Sequence, residues 1–203
     1  MKLYKSLKLA IQERDNVEAL KLTLEGVFPP ELFYFTQLKE LYLEGACAEF
    51  PKIGMSWLAL KTLSLKCHSF SGNFSQVFCL PSLENLKIIE TPIKQFLLPL
   101  GFAPAPLKSV TFKSCELSQL PEEFSMLSLL REINLTGNHL TKLPESFHEL
   151  KYLKRLNLDQ NKFTHFPSQI KKMPGLAHLS IDGNYFSQEE KDRIQREFHI
   201  TPH

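Results

Sequence analysis

The stretch "LREINLTGNHLTKLPESFHEL", residues 130–150, decides how the chain reads. Its spacing is L-x-x-L-x-L-x-x-N-x-L, filled by Leu130, Ile133, Leu135, Asn138 and Leu140. Twenty-three residues later stand Leu153, Leu156, Leu158, Asn161 and Phe163, and after another 23 Leu176, Leu179, Ile181, Asn184 and Phe186. The same step backwards gives Leu107, Val110, Phe112, Cys115 and Leu117. Looser copies start at Leu83, Leu60, Leu38 and Val17, so the eight starts lie 21 to 24 residues apart. The first register has an alternative, because "LTLEG" also aligns with "LYLEG" after a shift of two residues.

A fixed period of this length means stacked units, each too small to bury a face alone. In each unit the alternating pair, such as Ile133 and Leu135, points inward from a short strand. Burying one such side chain contributes ~1.5–3 kcal/mol, so several per unit can offset the ordering entropy. On the return leg the pairs expected inside are Leu32/Phe35, Gly54/Trp57, Val77/Leu80, Gly101/Pro104, Phe124/Leu127, Phe147/Leu150 and Ile170/Met173. The tight turn after each strand leaves backbone groups to satisfy, and a carboxamide both donates and accepts. Asn138, Asn161 and Asn184 are therefore expected as a structural ladder, with Cys115 and Thr91 as weaker substitutes. His68, at the same place in its repeat, is expected as a hydrogen-bonded core residue. Ala46 and Glu25 depart from the pattern, so the ladder should fail toward the N-terminus.

The L-P-x-x-[FI]-x-x-L-x-x-L-x-x-L-x-L-x-x-N form of the last four repeats resembles the leucine-rich repeat family, over residues 17–186. It is similar to the 23-residue class of Erbin/Scribble-type and many bacterial repeat proteins. The segment "YKSLKLAIQERDNVEALKL" also resembles the helical lead-in of certain bacterial members. The expected fold is α/β: a curved leucine-rich repeat solenoid of about eight repeats, with short parallel strands on its concave face. Residues 1–16 are expected as an N-terminal helical cap, with Leu3, Leu7, Ala10 and Ile11 on one apolar face. Residues 187–203 are expected as a C-terminal helical cap, opened by a capping box from Ser187 to Glu190 and covered by Ile194 and Phe198. With both ends covered, the chain reads as a whole module. On the irregular convex stretch 93–107, Phe102 and Leu98 are read either as exposed contacts or as filling for a wider core.

Composition excludes more than it assigns. The 203 residues are 43% hydrophobic and 23% charged, with net charge +2, too balanced to point to nucleic acid. No apolar run is long enough to span a bilayer. The N-terminus lacks the apolar core and cleavage site of a signal peptide, so the expected location is cytoplasmic, or secreted or at the surface if a leader has been removed. The four cysteines show no CxxC spacing, which favours reduced thiols over zinc or disulfides. No nucleophile–base set or phosphate-binding glycine loop stands out, so catalytic, cofactor and metal sites are all expected to be absent.

Function is then sought on residues that alternate with the inward leucines. Lys66, Lys87 and Lys113 fall on consecutive strands with Ile89 among them and Tyr42 nearby, a basic patch suited to a partner with an acidic surface. Arg155, Asn157, Asp159 and Asp182 make a polar, more acidic end. The expected function is non-enzymatic protein–protein recognition by a monomer. The alternatives are a substrate-recognition unit of a larger effector enzyme and a surface-exposed bacterial adhesion or ligand-binding protein. Tyr42, alone among aromatics in these columns, argues against a sugar platform.

Overall fold

A computed structural model describes residues 1–47, 57–68, 74–93, 96–98, 101 and 103–203. Among them nine strands form one parallel sheet in chain order. The strands are β1 (Leu3–Tyr4), β2 (Ala19–Gly26), β3 (Glu40–Cys47), β4 (Thr62–Cys67), β5 (Asn85–Ile89), β6 (Ser109–Lys113), β7 (Glu132–Asn134), β8 (Arg155–Asn157) and β9 (His178–Ser180). The pairing sets Leu20 beside Leu41, Leu41 beside Leu63, and so on through Leu86, Val110, Ile133, Leu156 and Leu179. The first repeat therefore runs in the register that begins at Val17, which is itself buried.

Five return legs carry a short 3-10 turn among the described residues, at Pro30–Tyr34, Ser75–Cys79, Glu122–Met126, Glu145–Glu149 and Ser168–Lys172. In the last three, a Leu-Pro or Phe-Pro step sets the geometry. Pro121, Pro144 and Pro167 hold φ between −55° and −69°, and their carbonyls accept from Phe124, Phe147 and Ile170, each at 3.1 Å. Those apolar residues then point into the core beside the leucines. Of the expected return-leg pairs, Gly101 and Pro104 are exposed. Phe96, Leu98 and Ala105 are buried in that repeat, and the Phe96 ring stacks on Phe78 at 5.3 Å. Neither residue of the expected pair has a large apolar side chain, and Phe96 fills the volume from further back. Leu98, 6% exposed, is core and not a contact. Gly54 and Phe102 lie outside the described residues.

Turn chemistry divides the molecule. Asn138 donates from Nδ2 to the carbonyls of Phe112 (2.7 Å) and Leu135 (2.8 Å), and its Oδ1 accepts from Cys115 and Leu117. Asn161 bonds Leu135, Leu158 and the Leu140 amide in the same way, and Asn184 bonds Leu158, Ile181 and the Phe163 amide. Each amide thus ties its own turn to the preceding repeat. At the same place the Thr91 hydroxyl donates to Ile89 O and accepts from the Cys67 amide, both at 2.9 Å. The Cys115 thiol lies 3.3 Å from the carbonyls of Ile88 and Lys113. Burial pushes that thiol up to about 12, so it remains protonated and can serve as a donor.

Upstream, strands do not stop at this point. β2 and β3 have 8 residues and β4 has 6, against 3 in each of β7, β8 and β9. Continued alternation through β4 buries Cys67 and leaves His68 exposed. His68 is therefore not a core residue: with no tight turn before it, strand pleating turns it out.

The N-terminal cap is not one helix face. Leu3 and Tyr4 are extended and pair with Ala19 and Leu20, which breaks the helical period. Tyr4 is buried and its hydroxyl donates to Glu13 at 2.5 Å, while Leu3 and Ile11 are exposed. The helix itself, α1, spans Leu7–Gln12 and buries Ala10. At the other end α2 (Gln188–Phe198) starts on Ser187, whose Oγ accepts from the Glu190 amide at 3.2 Å. Glu190 does not reach back to Ser187. Its Oε1 accepts from the Phe166 amide (2.7 Å) and from Arg193 Nη2 (2.6 Å), stitching α2 to the previous repeat.

Beyond α2 the chain imitates another strand. The His203 amide donates to Asp182 Oδ1 at 2.8 Å, as the Asp182 amide donates to Asp159 Oδ1 at 2.8 Å. The Gly183 amide donates to His203 O, as Gln160 does to Asp182 O. Pro202, which precedes His203 as Ile181 precedes Asp182, is buried, and it has no N–H to offer at this end of the sheet.

Candidate functional site: the concave face

Strand register turns alternate positions into continuous columns across the sheet. One runs Lys21, Tyr42, Ser64, Lys87, Thr111, Asn134, Asn157, Ser180. A second runs Glu40, Thr62, Asn85, Ser109, Glu132, Arg155, His178. Neighbours within a column sit on strands ~4.8 Å apart.

Lys87, Ile89 and Lys113 are brought together on β5 and β6, with Ile89 directly beside Lys113. Lys87 and Lys113 are exposed, and neither forms an ion pair among the described residues. Lys66 is different: its Nζ lies 2.9 Å from Glu90 Oε2. The Lys66 hydrogen bond holds the Glu90 carboxyl below the usual carboxylate range, with His68 and Lys113 adding to the effect. Tyr42 lies two strands away and donates to Glu40 at 3.0 Å; burial raises its phenol above the ordinary value. Lys21 is likewise paired, with Glu44 at 3.1 Å. The basic patch read from sequence is thus partly neutralised. Glu90, the residue that does this, lies outside the alternating columns, in a turn with φ 48°.

The remaining candidates form a second group. Ser109 and Thr111 on β6, Glu132 and Asn134 on β7, Arg155 and Asn157 on β8, and His178 and Ser180 on β9 line a concave trough of about 330 Å³. Its floor is cross-linked. Asn134 Oδ1 accepts from the Thr136 amide at 3.0 Å, and Asn157 Oδ1 from the Asp159 amide at 2.9 Å. The Thr136 hydroxyl is 2.7 Å from both carboxamide oxygens and can give its one proton to either. Asp159 accepts from Asn157 Nδ2, the Ser180 hydroxyl and the Asp182 amide. Asp159 and Asp182 are therefore engaged in holding the face together, their charge notwithstanding. Arg155 Nε lies 3.6 Å from Glu132, both side chains more than half exposed, so this contact holds neither firmly.

The face offers hydrogen-bond donors, acceptors and charges on a surface held by its own hydrogen bonds. Among the described residues, no three His, Cys, Asp or Glu side chains are grouped to hold a metal ion, and no helix is long and apolar enough to cross a membrane.

Residues 128–186 match the family described as Leucine rich repeat. The chain is 31% identical over 138 residues to the volume-regulated anion channel subunit LRRC8B of Mus musculus and 32% identical to that of Homo sapiens. Those alignments take up 64% of this chain but 17% of either channel subunit. Among solved structures it is similar to a leucine-rich repeat protein of Leptospira interrogans, at 22% identity and TM-score 0.63, covering 97% of this chain and 68% of that one. It is also similar to InlP of Listeria monocytogenes, at 22% identity and TM-score 0.70, covering 83% of this chain and 49% of that one. With strands β2 to β9 and their inward leucines in the repeat's register, the chain has the leucine-rich repeat solenoid fold.

Proposed function

We propose that this chain is a non-enzymatic recognition module that binds a protein partner on its concave face. The observation that carries the reading is the trough over β6–β9, whose polar floor is fixed by hydrogen bonds before any partner arrives. Preorganised side chains lose less entropy on binding. Lys87 and Lys113, exposed and without an ion pair among the described residues, flank Ile89 at the N-terminal side of the trough and favour an acidic patch on the partner. The test is affinity capture with wild type and with the double variant K87E/K113E, folding checked by circular dichroism. The partner should be lost from the variant. Capture of the same partner at undiminished yield by the folded variant would remove the lysines from the site.

A second reading is favoured by length. The matched stretch is 17% of the channel subunits, so these repeats can also serve as the recognition part of a larger protein. Sequencing the full reading frame distinguishes the two, since the second requires further coding sequence.

A further inference from the structure

The surface next to the concave columns carries a second feature. The residue following each leading leucine forms its own row at the edge where the chain enters the strands. Its backbone bonds run from Lys39 to Lys61, Glu84, Lys108, Arg131 and Lys154, each amide donating to the preceding member's carbonyl at 2.8–2.9 Å. These residues therefore stack one per strand. Glu84 is held by Lys108 at 2.7 Å, and Glu18, at the start of the row, is held by Lys39. Lys61 and Arg131 form no ion pair among the described residues, and the Lys154 ammonium reaches only the Gly175 carbonyl, at 3.1 Å. Toward the C-terminus the row is thus an unbalanced cationic edge.

Large apolar groups stand beside it. Leu129 and Tyr152, two residues before Arg131 and Lys154, are 48% and 60% exposed. A crevice of about 110 Å³ opens beside the Lys154 ammonium, lined by Lys151, Lys172, Gly175 and Leu176 among others. An exposed tyrosine and leucine close in sequence to a row of cations make the kind of surface where partner contacts concentrate.

We infer that the strand-entry edge around Arg131, Tyr152 and Lys154 is a second docking surface, separate from the trough, for an acidic protein segment with interleaved large apolar side chains. Carboxylates answer the cations, and an apolar side chain packs on Leu129 and Tyr152 or enters the crevice. A lipid surface would fit the charge but not a crevice of one side chain's size.

The test is selection from a phage-displayed library of random 12-residue peptides, with the selected peptides measured on wild type, R131E/K154E, Y152A and K87E/K113E. Peptides should be rich in Asp and Glu with at least one Leu, Phe or Trp. They should bind R131E/K154E at least tenfold more weakly and Y152A more weakly, and K87E/K113E within twofold of wild type. Acidic peptides that lose affinity only in K87E/K113E would overturn the edge and leave the concave reading standing. Peptides without acidic enrichment, or none selected while phosphatidylserine vesicles bind in an Arg131-dependent manner, would also overturn it. Thermal unfolding of each variant near the wild-type midpoint shows that the fold is retained.

Discussion

The two halves of the solenoid solve one problem by different means. From β5 onward, each repeat turns sharply after its strand, and Glu90, Ser114, Gly137, Gln160 and Gly183 occupy the same turn position with φ between 48° and 72°. The backbone groups freed by that turn go to Thr91, Cys115, Asn138, Asn161 and Asn184. Before β5 the same position holds Glu25, Ala46 and His68, and the longer strands carry the sheet ladder on toward it. Stability in the C-terminal half should therefore hang on a few polar side chains, and in the N-terminal half on length of pairing.

Single substitutions can break that contrast. Asn161→Ala should have the largest effect, about 3–4 kcal/mol in chemical denaturation, because it strands two buried carbonyls and an amide. Acid should act next, on the stitch between α2 and the last repeats. Glu190 is held down to about 2 by Arg193 first and by the Phe166 amide, from an ordinary 4.5. A depressed carboxylate stabilises above its unfolded value and loses that contribution as pH falls from about 4.5 toward 2. Wild type should lose roughly 2–3 kcal/mol over that window through this group, and Glu190→Gln should lack that part of the pH dependence. Thr91→Val should cost less, about 1–2 kcal/mol, since one hydroxyl serves one amide and one carbonyl there. Smallest of all, Gln160→Gly should raise stability by up to about 1 kcal/mol, by relieving φ of 54° on a residue with a Cβ. Losses below about 1 kcal/mol for both Asn161→Ala and Thr91→Val would remove the contrast.

How much of this was legible in the sequence follows the same division. Leucine spacing carried the strand register, because an inward apolar position is dictated by burial and repeats in every unit. Where a side chain is small or the turn changes, position alone misleads. Gly101 and Pro104 cannot fill a core, so Phe96 does, and His68 follows a strand that runs past the expected turn. Leu3 lines up with Leu7 on a helical wheel, but pairing with β2 gives its neighbour Tyr4 the buried place. The candidate site was harder still. Columns can be counted from the repeat, whereas the Lys66–Glu90 pair joins a column residue to a turn residue, and only the turn's geometry brings them within 2.9 Å. The basic row at the strand-entry edge follows the same period as the leucines, and counting one further column would have found it.

Recognition on the concave face can be read out by photo-crosslinking to a captured partner. Benzoylphenylalanine would replace Asn134 in the trough in one variant and Glu123 on a convex return leg in another. An adduct is expected from position 134 and none from position 123. An adduct from position 123 alone would contradict recognition on the concave face.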